Sequence, residues 1–75
     1  MAGDPSFDVA MFLQHDMHDP ATTRRADTLA DRLGLERHRT RAWLFALATQ
    51  AASWHLSVGD RPRYDAYSRA LSTLV

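Results

Sequence analysis

Apolar side chains recur every three or four residues along most of this chain. One segment carries such a set at positions i, i+3, i+4 and i+7: Ala26, Leu29, Ala30 and Leu33. A second set at similar spacing lies near the C-terminus: Tyr64, Tyr67, Leu71 and Leu74. Because an α-helix has about 3.6 residues per turn, each set forms an apolar stripe along one side of a helix. No segment alternates apolar and polar residues over the length of a strand, so the pattern predicts an all-α fold.

Local signals predict where the first two helices begin and end. Asp4 before Pro5 is a helix N-cap followed by proline, whose missing N–H would be unpaired at that position in any case. The first helix is predicted from Pro5 to about Met17. Its apolar side consists of Phe7, Ala10, Met11 and Leu13. Asp19 before Pro20 repeats the capping signal and predicts the start of a second helix, which Gly34 ends as a residue in left-handed conformation.

The third predicted helix, from near Glu36 to about Leu56, is the most apolar part of the chain. Between Ala42 and Ala52 nearly every side chain is apolar or small, and a helix that is apolar all round is expected to be buried on most sides. Asp60, shortly after this helix, predicts the start of a fourth. We therefore predict a single domain over residues 1–75, built as a three- to four-helix bundle around the long third helix.

Composition narrows the possible functions. The chain has 75 residues, no cysteine and a formal net charge of zero. The absence of cysteine excludes disulfides and thiolate metal sites, and zero net charge argues against a general binder of polyanions. The longest apolar run, Ala42–Ala48, is far shorter than the roughly 20 residues that span a bilayer. A soluble cytoplasmic protein is the expectation, since no signal peptide is recognised.

Residues 3–10 join a Gly-Asp-Pro turn to an apolar helix with Asp8 near its start. Considered alone, Asp8 places negative charge near the positive end of the helix dipole. The segment GDPSFDVA also resembles the Gly-Asp-Pro-x-aromatic-Asp-Leu/Val-Ala segment of aminoglycoside and hydroxyurea phosphotransferases, which are antibiotic kinases of the streptomycin-kinase type. The resemblance implies that Asp8 corresponds to an aspartate that lies under the catalytic loop and accepts hydrogen bonds from the backbone of that loop.

A second segment, from Ala26 to Gly59, resembles the C-terminal part of the same kinases. In those proteins a leucine- and alanine-rich helix breaks at Leu-Gly-Leu, here residues 33–35. A long helix then carries one tryptophan near its start and another near its end, as Trp43 and Trp54 do here. The resemblance implies the C-terminal helical end of a kinase that transfers the ATP γ-phosphoryl group, with magnesium, to a hydroxyl of an aminoglycoside or related small molecule.

The parts of such a kinase that perform the reaction are not recognisable in this sequence. It contains no phosphate-binding loop, no lysine and no His-x-Asp catalytic loop. The magnesium-binding aspartate of the family would precede Gly3, where only Met1 and Ala2 stand. We therefore expect no catalytic residue and no bound cofactor in this chain, and no phosphotransferase activity from the chain alone.

Residues 26–45 also resemble a different class of protein, the DNA-binding helix-turn-helix, in which a Gly turn separates two helices. Six arginines would then be available for phosphate contacts: Arg24, Arg25, Arg32, Arg37, Arg39 and Arg41. The predicted DNA contacts are the three near the start of the third helix, Arg37, Arg39 and Arg41. Two observations weigh against this alternative. The third helix continues into an apolar stretch, and its start lacks the Asn or Gln that often reads bases. We therefore do not expect nucleic acid as a partner.

The histidines give only a weak metal signal. His15 and His18, with Asp16 and Asp19, have the i, i+3 spacing of a zinc pair. The negative end of a helix also favours histidine, and two-residue metal motifs are common by chance, so no metal site is predicted.

Self-association is predicted from the aromatic residues. An exposed apolar patch is expected to include Phe7, Met11 and Phe12, together with Trp43 or Trp54. A patch of that kind exceeds what a monomer usually exposes, and a two-fold homodimer would cover it. The patch would be absent if the first helix folded back onto the third.

Overall fold

The computed structural model describes residues 3–74 and consists of helices throughout. Four α-helices follow one another, α1 (Pro5–Leu13), α2 (Thr22–Leu33), α3 (Arg37–Ser57) and α4 (Arg61–Leu71). Short 3-10 turns follow α1 at Gln14–Asp16 and α4 at Ser72–Leu74. No strand occurs within residues 3–74, which confirms the all-α fold with a long central helix. The predicted domain also included Met1, Ala2 and Val75, which lie outside the described residues.

Local capping accounts for most helix ends. The Asp4 side chain accepts a hydrogen bond from the Ser6 N–H at 2.9 Å, and Pro5 is the first residue of α1. Gly34 ends α2 with φ of 70°, a left-handed conformation that glycine adopts without steric cost. The next residue, Leu35, then donates its N–H to the Ala30 carbonyl at 2.7 Å, which closes the helix end.

The chain between α1 and α2 differs from the sequence prediction in two respects. Helix α1 ends at Leu13, four residues before the predicted Met17, because the backbone tightens there into a 3-10 turn. Asp19 does not cap α2, since that helix begins at Thr22 with Ala21 at its N-cap position. Asp19 instead accepts the Ala21 N–H at 2.9 Å through its side chain and the Thr22 N–H at 3.0 Å through its carbonyl. It therefore stabilises the turn that precedes the helix.

Helix α3 packs against the other three helices, but only along one face. The buried residues recur every fourth position: Thr40, Leu44, Ala48 and Ala52. The prediction that Ala42–Ala52 would be buried on most sides is wrong, because Ala42, Phe45 and Ala46 are exposed. The fold measures only 16 Å along its shortest axis, so the helices form about two layers. In such a thin arrangement the neighbours of α3 cover one side of it and leave the other side in water.

The remaining core comes from residues that each helix directs toward that face of α3. Apart from α3 residues, the buried cluster comprises Val9, Ala10, Leu13, Met17, Ala26, Tyr67, Ala70 and Leu74. Both predicted apolar stripes contribute to it, although Leu33 at the end of α2 is 60% exposed. No helix within residues 3–74 is long and apolar enough to cross a membrane.

Candidate functional site

Asp4 joins the two segments on which the kinase resemblance depends. Its Oδ2 atom accepts hydrogen bonds from Trp43 Nε1 at 3.0 Å and from Arg39 Nε at 2.7 Å. The Phe7 ring meets the Trp43 ring edge to face, with centroids 4.9 Å apart. These contacts bring the start of α1 against the start of α3, so residues 3–10 and Trp43 form one cluster.

The donors around Asp4 also determine its charge state. The Trp43 hydrogen bond, followed by that of Arg39, lowers the pKa of the Asp4 carboxyl below its ordinary value. A carboxylate held by an indole, a guanidinium and a backbone N–H is a weak base, so Asp4 is suited to a structural role and not to proton transfer.

Asp8 lies one turn further along α1 and differs from Asp4 in its surroundings. Its side chain is exposed, and no residue between 3 and 74 makes a hydrogen bond or an ion pair with it. The α1 backbone presents this carboxylate on the outer side of the helix, opposite the buried Ala10 and Leu13. Its carboxylate oxygens are therefore open to solvent.

The three arginines predicted as alternative DNA contacts each bind an aspartate of this chain. Arg37 donates two hydrogen bonds to Asp31, from Nε to Oδ1 at 3.0 Å and from Nη2 to Oδ2 at 2.6 Å. Arg41 donates two hydrogen bonds to Asp27 through the same atoms, from Nε to Oδ1 at 2.9 Å and from Nη2 to Oδ2 at 2.5 Å. Arg39 binds Asp4, as described above. Bidentate pairing lowers the pKa of Asp27 and Asp31, chiefly through the hydrogen bonds from Arg41 and Arg37 respectively.

The aspartate partners were missed in the sequence, although a signal for two of them exists. The pairs Asp31–Arg37 and Asp27–Arg41 stand symmetrically on either side of Gly34 in the numbering. In a helical hairpin that turns at Gly34, residues at equal distances from the turn meet across it. The hairpin alone would thus have predicted both pairs, and their role as links between α2 and α3.

A second cluster lies where α3 and α4 meet. His55 packs between the rings of Trp54 and Tyr67, at centroid distances of 5.1 and 5.2 Å. Its Nδ1 atom lies 3.4 Å from Asp60 Oδ2, without the alignment of a hydrogen bond. Burial raises the pKa of Tyr67, which keeps its hydroxyl neutral. His55 and Tyr67 pack together here while Trp54 stays 61% exposed, and none of the three is an activated nucleophile.

A largely apolar cavity lies between α1 and α2. It measures about 620 Å³ and is open to solvent. Phe12, Leu13 and Leu29 form its apolar walls, and the side chains of Asp16, Arg24 and Arg25 lie at its margin. The predicted apolar patch is divided by this arrangement, because Phe12 borders α2 while Trp43 lies on the α3 side of α1 with Phe7. Helix α1 does pack on α3, but Phe12 remains 76% exposed and Met11 43% exposed.

His15 and His18 do not come together with other ligands. Among residues 3–74 no group of three or more His, Cys, Asp or Glu side chains is arranged to hold a metal ion.

Comparison of the chain with models of known protein families, with curated proteins and with solved structures finds no match in any of the three.

Proposed function

We propose that this chain is a C-terminal helical module of the aminoglycoside and hydroxyurea phosphotransferase type, inactive by itself. The observation that carries the proposal is the cluster at Asp4. Two separate segments resemble the kinases, residues 3–10 and the start of α3, and they meet through the Asp4–Trp43 hydrogen bond. Residues that resemble a family at two distant positions and also contact each other favour a common origin over chance.

Asp8 supplies the functional role within this proposal. Its exposed carboxylate accepts backbone hydrogen bonds from a catalytic loop that another part of the kinase provides. That loop would hold the base for the substrate hydroxyl, while ATP and magnesium would bind elsewhere in the enzyme. The module contributes support for the loop and performs no chemical step.

The gene sequence directly upstream of Met1 tests the proposal. We expect an open frame that encodes a His-x-Asp loop and a magnesium-binding aspartate. The longer protein should phosphorylate an aminoglycoside, and Asp8→Ala should lower kcat more than it changes the KM for ATP. The 75-residue chain alone should give no heat with Mg-ATP in a calorimeter. A micromolar dissociation constant for Mg-ATP, or an upstream sequence without these motifs, would contradict the proposal.

A helix-turn-helix DNA-binding protein is the second candidate. The Gly34 turn between α2 and α3 favours it, since this is the arrangement of the motif. The pairing of Arg37 and Arg41 with aspartates weighs against it, because those guanidiniums would have to exchange one anion for another to reach phosphate. A gel shift that selects one duplex from a random pool, with affinity falling steeply as salt rises, would favour this candidate over the kinase module.

We also propose that the chain forms a homodimer and resides in the cytoplasm. The exposed fractions of Phe12 and Trp54, 76% and 61%, support self-association. A domain of this size gains core by dimerising, and a sequence without cysteine suits a reducing compartment. Sedimentation equilibrium at tens of micromolar should return twice the mass of the chain, and a monomeric mass would refute the dimer.

A further inference from the structure

We propose that the cleft between α1 and α2 is the dimer interface, and that its occupant is the same cleft of a second copy. This inference rests on the self-association proposed above, concerns the 75-residue chain by itself, in which Asp8 is exposed, and assigns the dimer to one surface. Among the large apolar side chains of residues 3–74, Phe12 is the most exposed, and it lines the cavity between α1 and α2. A phenyl ring beside an open apolar cavity fits the corresponding cavity of a second molecule.

The α1 side of the cleft is acidic. Asp8, Phe12 and Asp16 follow one another at intervals of four residues and are all exposed. Asp8 and Phe12 lie one turn apart on the same side of α1, and Asp16, in the 3-10 turn after the helix, lines the cleft together with Phe12. Neither carboxylate makes a side-chain hydrogen bond or ion pair within residues 3–74, so this edge of the cleft presents two free negative charges beside an aromatic ring.

The α2 side of the cleft is basic. Arg24, Arg25 and the partly buried Leu29 line the cleft, and the exposed Arg32 lies two helical turns beyond Arg25 on the same side of α2. Arg25 makes one solvent-exposed contact with Asp19 at 3.3 Å. Within residues 3–74 the guanidiniums of Arg24 and Arg32 have no acidic partner, in contrast to Arg37, Arg39 and Arg41.

A two-fold axis across the cleft places the acidic and the basic side of each copy opposite a side of the other charge. In an isologous dimer each surface meets its own copy, so the acidic edge of one copy faces the basic α2 of the partner, twice over. Phe12 from each copy enters the apolar cavity of the other. The result is a four-helix layer with an apolar centre and a charged margin, the usual composition of an interface. The complementary charges favour a second copy over a partner of a single charge sign.

Charge reversal tests this geometry with two double variants. Asp8→Arg with Asp16→Arg makes both sides of the cleft basic, and Arg24→Glu with Arg32→Glu makes both sides acidic. Each variant alone should dimerise at least about 30-fold more weakly than the parent chain, because like charges then face each other. An equimolar mixture should recover dimers, because a heterodimer restores both contacts. Arg63→Glu with Arg69→Glu, on exposed positions of α4, is the matched control and should dimerise normally.

Phe12→Ser provides an independent measurement that does not depend on charge. It should weaken the dimer to a similar extent while leaving the helical circular dichroism of the monomer unchanged, because Phe12 is 76% exposed. Val58→Ser, at a residue 56% exposed near the α3–α4 turn, should leave the dimer intact. A parent chain that is monomeric overturns self-association as a whole. A parent dimer that the Phe12 and charge-reversal variants do not weaken, or a mixture that stays monomeric, overturns only this interface.

Discussion

Replacing Leu44 by alanine should remove a large share of the stability of this domain. Leu44 is fully buried at the centre of the α3 face that contacts the other helices. Truncation of a buried leucine costs about 2–5 kcal/mol, since the lost transfer free energy adds to the cavity left behind. A chain of 75 residues is expected to have a free energy of unfolding of about 4–11 kcal/mol. A loss near the middle of the range, about 3 kcal/mol, would lower Tm by about 12–24 °C.

Leu56→Ala is the matched control, because it makes the same chemical change in the same helix. Leu56 is 46% exposed, so its truncation should cost about 1 kcal/mol or less. Urea unfolding followed by circular dichroism gives both free energies, with the protein concentration held constant because the proposed dimer would add to the stability. Equal losses for the two variants, or a loss below about 1 kcal/mol for Leu44→Ala, would refute the assignment of one buried and one exposed face to α3.

Three further outcomes are expected from the orientation of α3, the Asp27–Arg41 pair and the Gly34 turn. Ala48→Glu should unfold the domain, because it buries a charge without a partner, whereas Ala46→Glu on the exposed face of α3 should leave the circular dichroism unchanged; similar melting curves for both would contradict the helix orientation. The hydrogen bonds from Arg41 lower the pKa of Asp27 in the folded chain, so the unfolded chain binds more protons than the folded one at acid pH. The stability that this pair contributes should therefore be present above about pH 4 and be lost as pH falls further. Asp27→Asn should reduce this loss of stability at low pH in unfolding titrations. Gly34→Ala should cost about 1 kcal/mol, because φ of 70° strains a residue with a Cβ although no atom lies within 4 Å of that position, and Gly34→Asn should cost less; an alanine variant as stable as the parent would contradict the left-handed turn.

The bounds of most helices could be predicted from the sequence, because they depend on neighbours along the chain. The Asp4–Pro5 signal, the left-handed Gly34 and the Asp60 cap of α4 all act within one helical turn. Each of them satisfies backbone groups that any helix of this sequence would leave unpaired. Two bounds are exceptions, the early end of α1 at Leu13 and the late start of α2 at Thr22. Between them the Asp16 carbonyl accepts the Thr22 hydroxyl at 2.7 Å and helps to shape the turn into α2.

The candidate site could be predicted only in part, because its contacts join residues that are far apart along the chain. The resemblance indicated Asp4 and Asp8 as residues of interest. It did not predict the contact between Asp4 and Trp43, which are 39 positions apart. A contact of that kind depends on how α1 lies on α3. The Asp31–Arg37 and Asp27–Arg41 pairs could be predicted in part, because a helical hairpin that turns at Gly34 brings their residues together.

The composition of α3 determined that it would be a long helix, but not which of its sides would be buried. Apolar residues surround it from Ala42 to Ala52, so no periodic stripe indicates a direction. The other helices decide which face of α3 is buried. Their apolar stripes pack against one face only, because the fold is 16 Å thick and leaves no helix of residues 3–74 on the other side. Local chemistry thus determines where each helix begins and ends, and only the packing of the whole chain determines which apolar surfaces stay in water and are free to bind a second molecule.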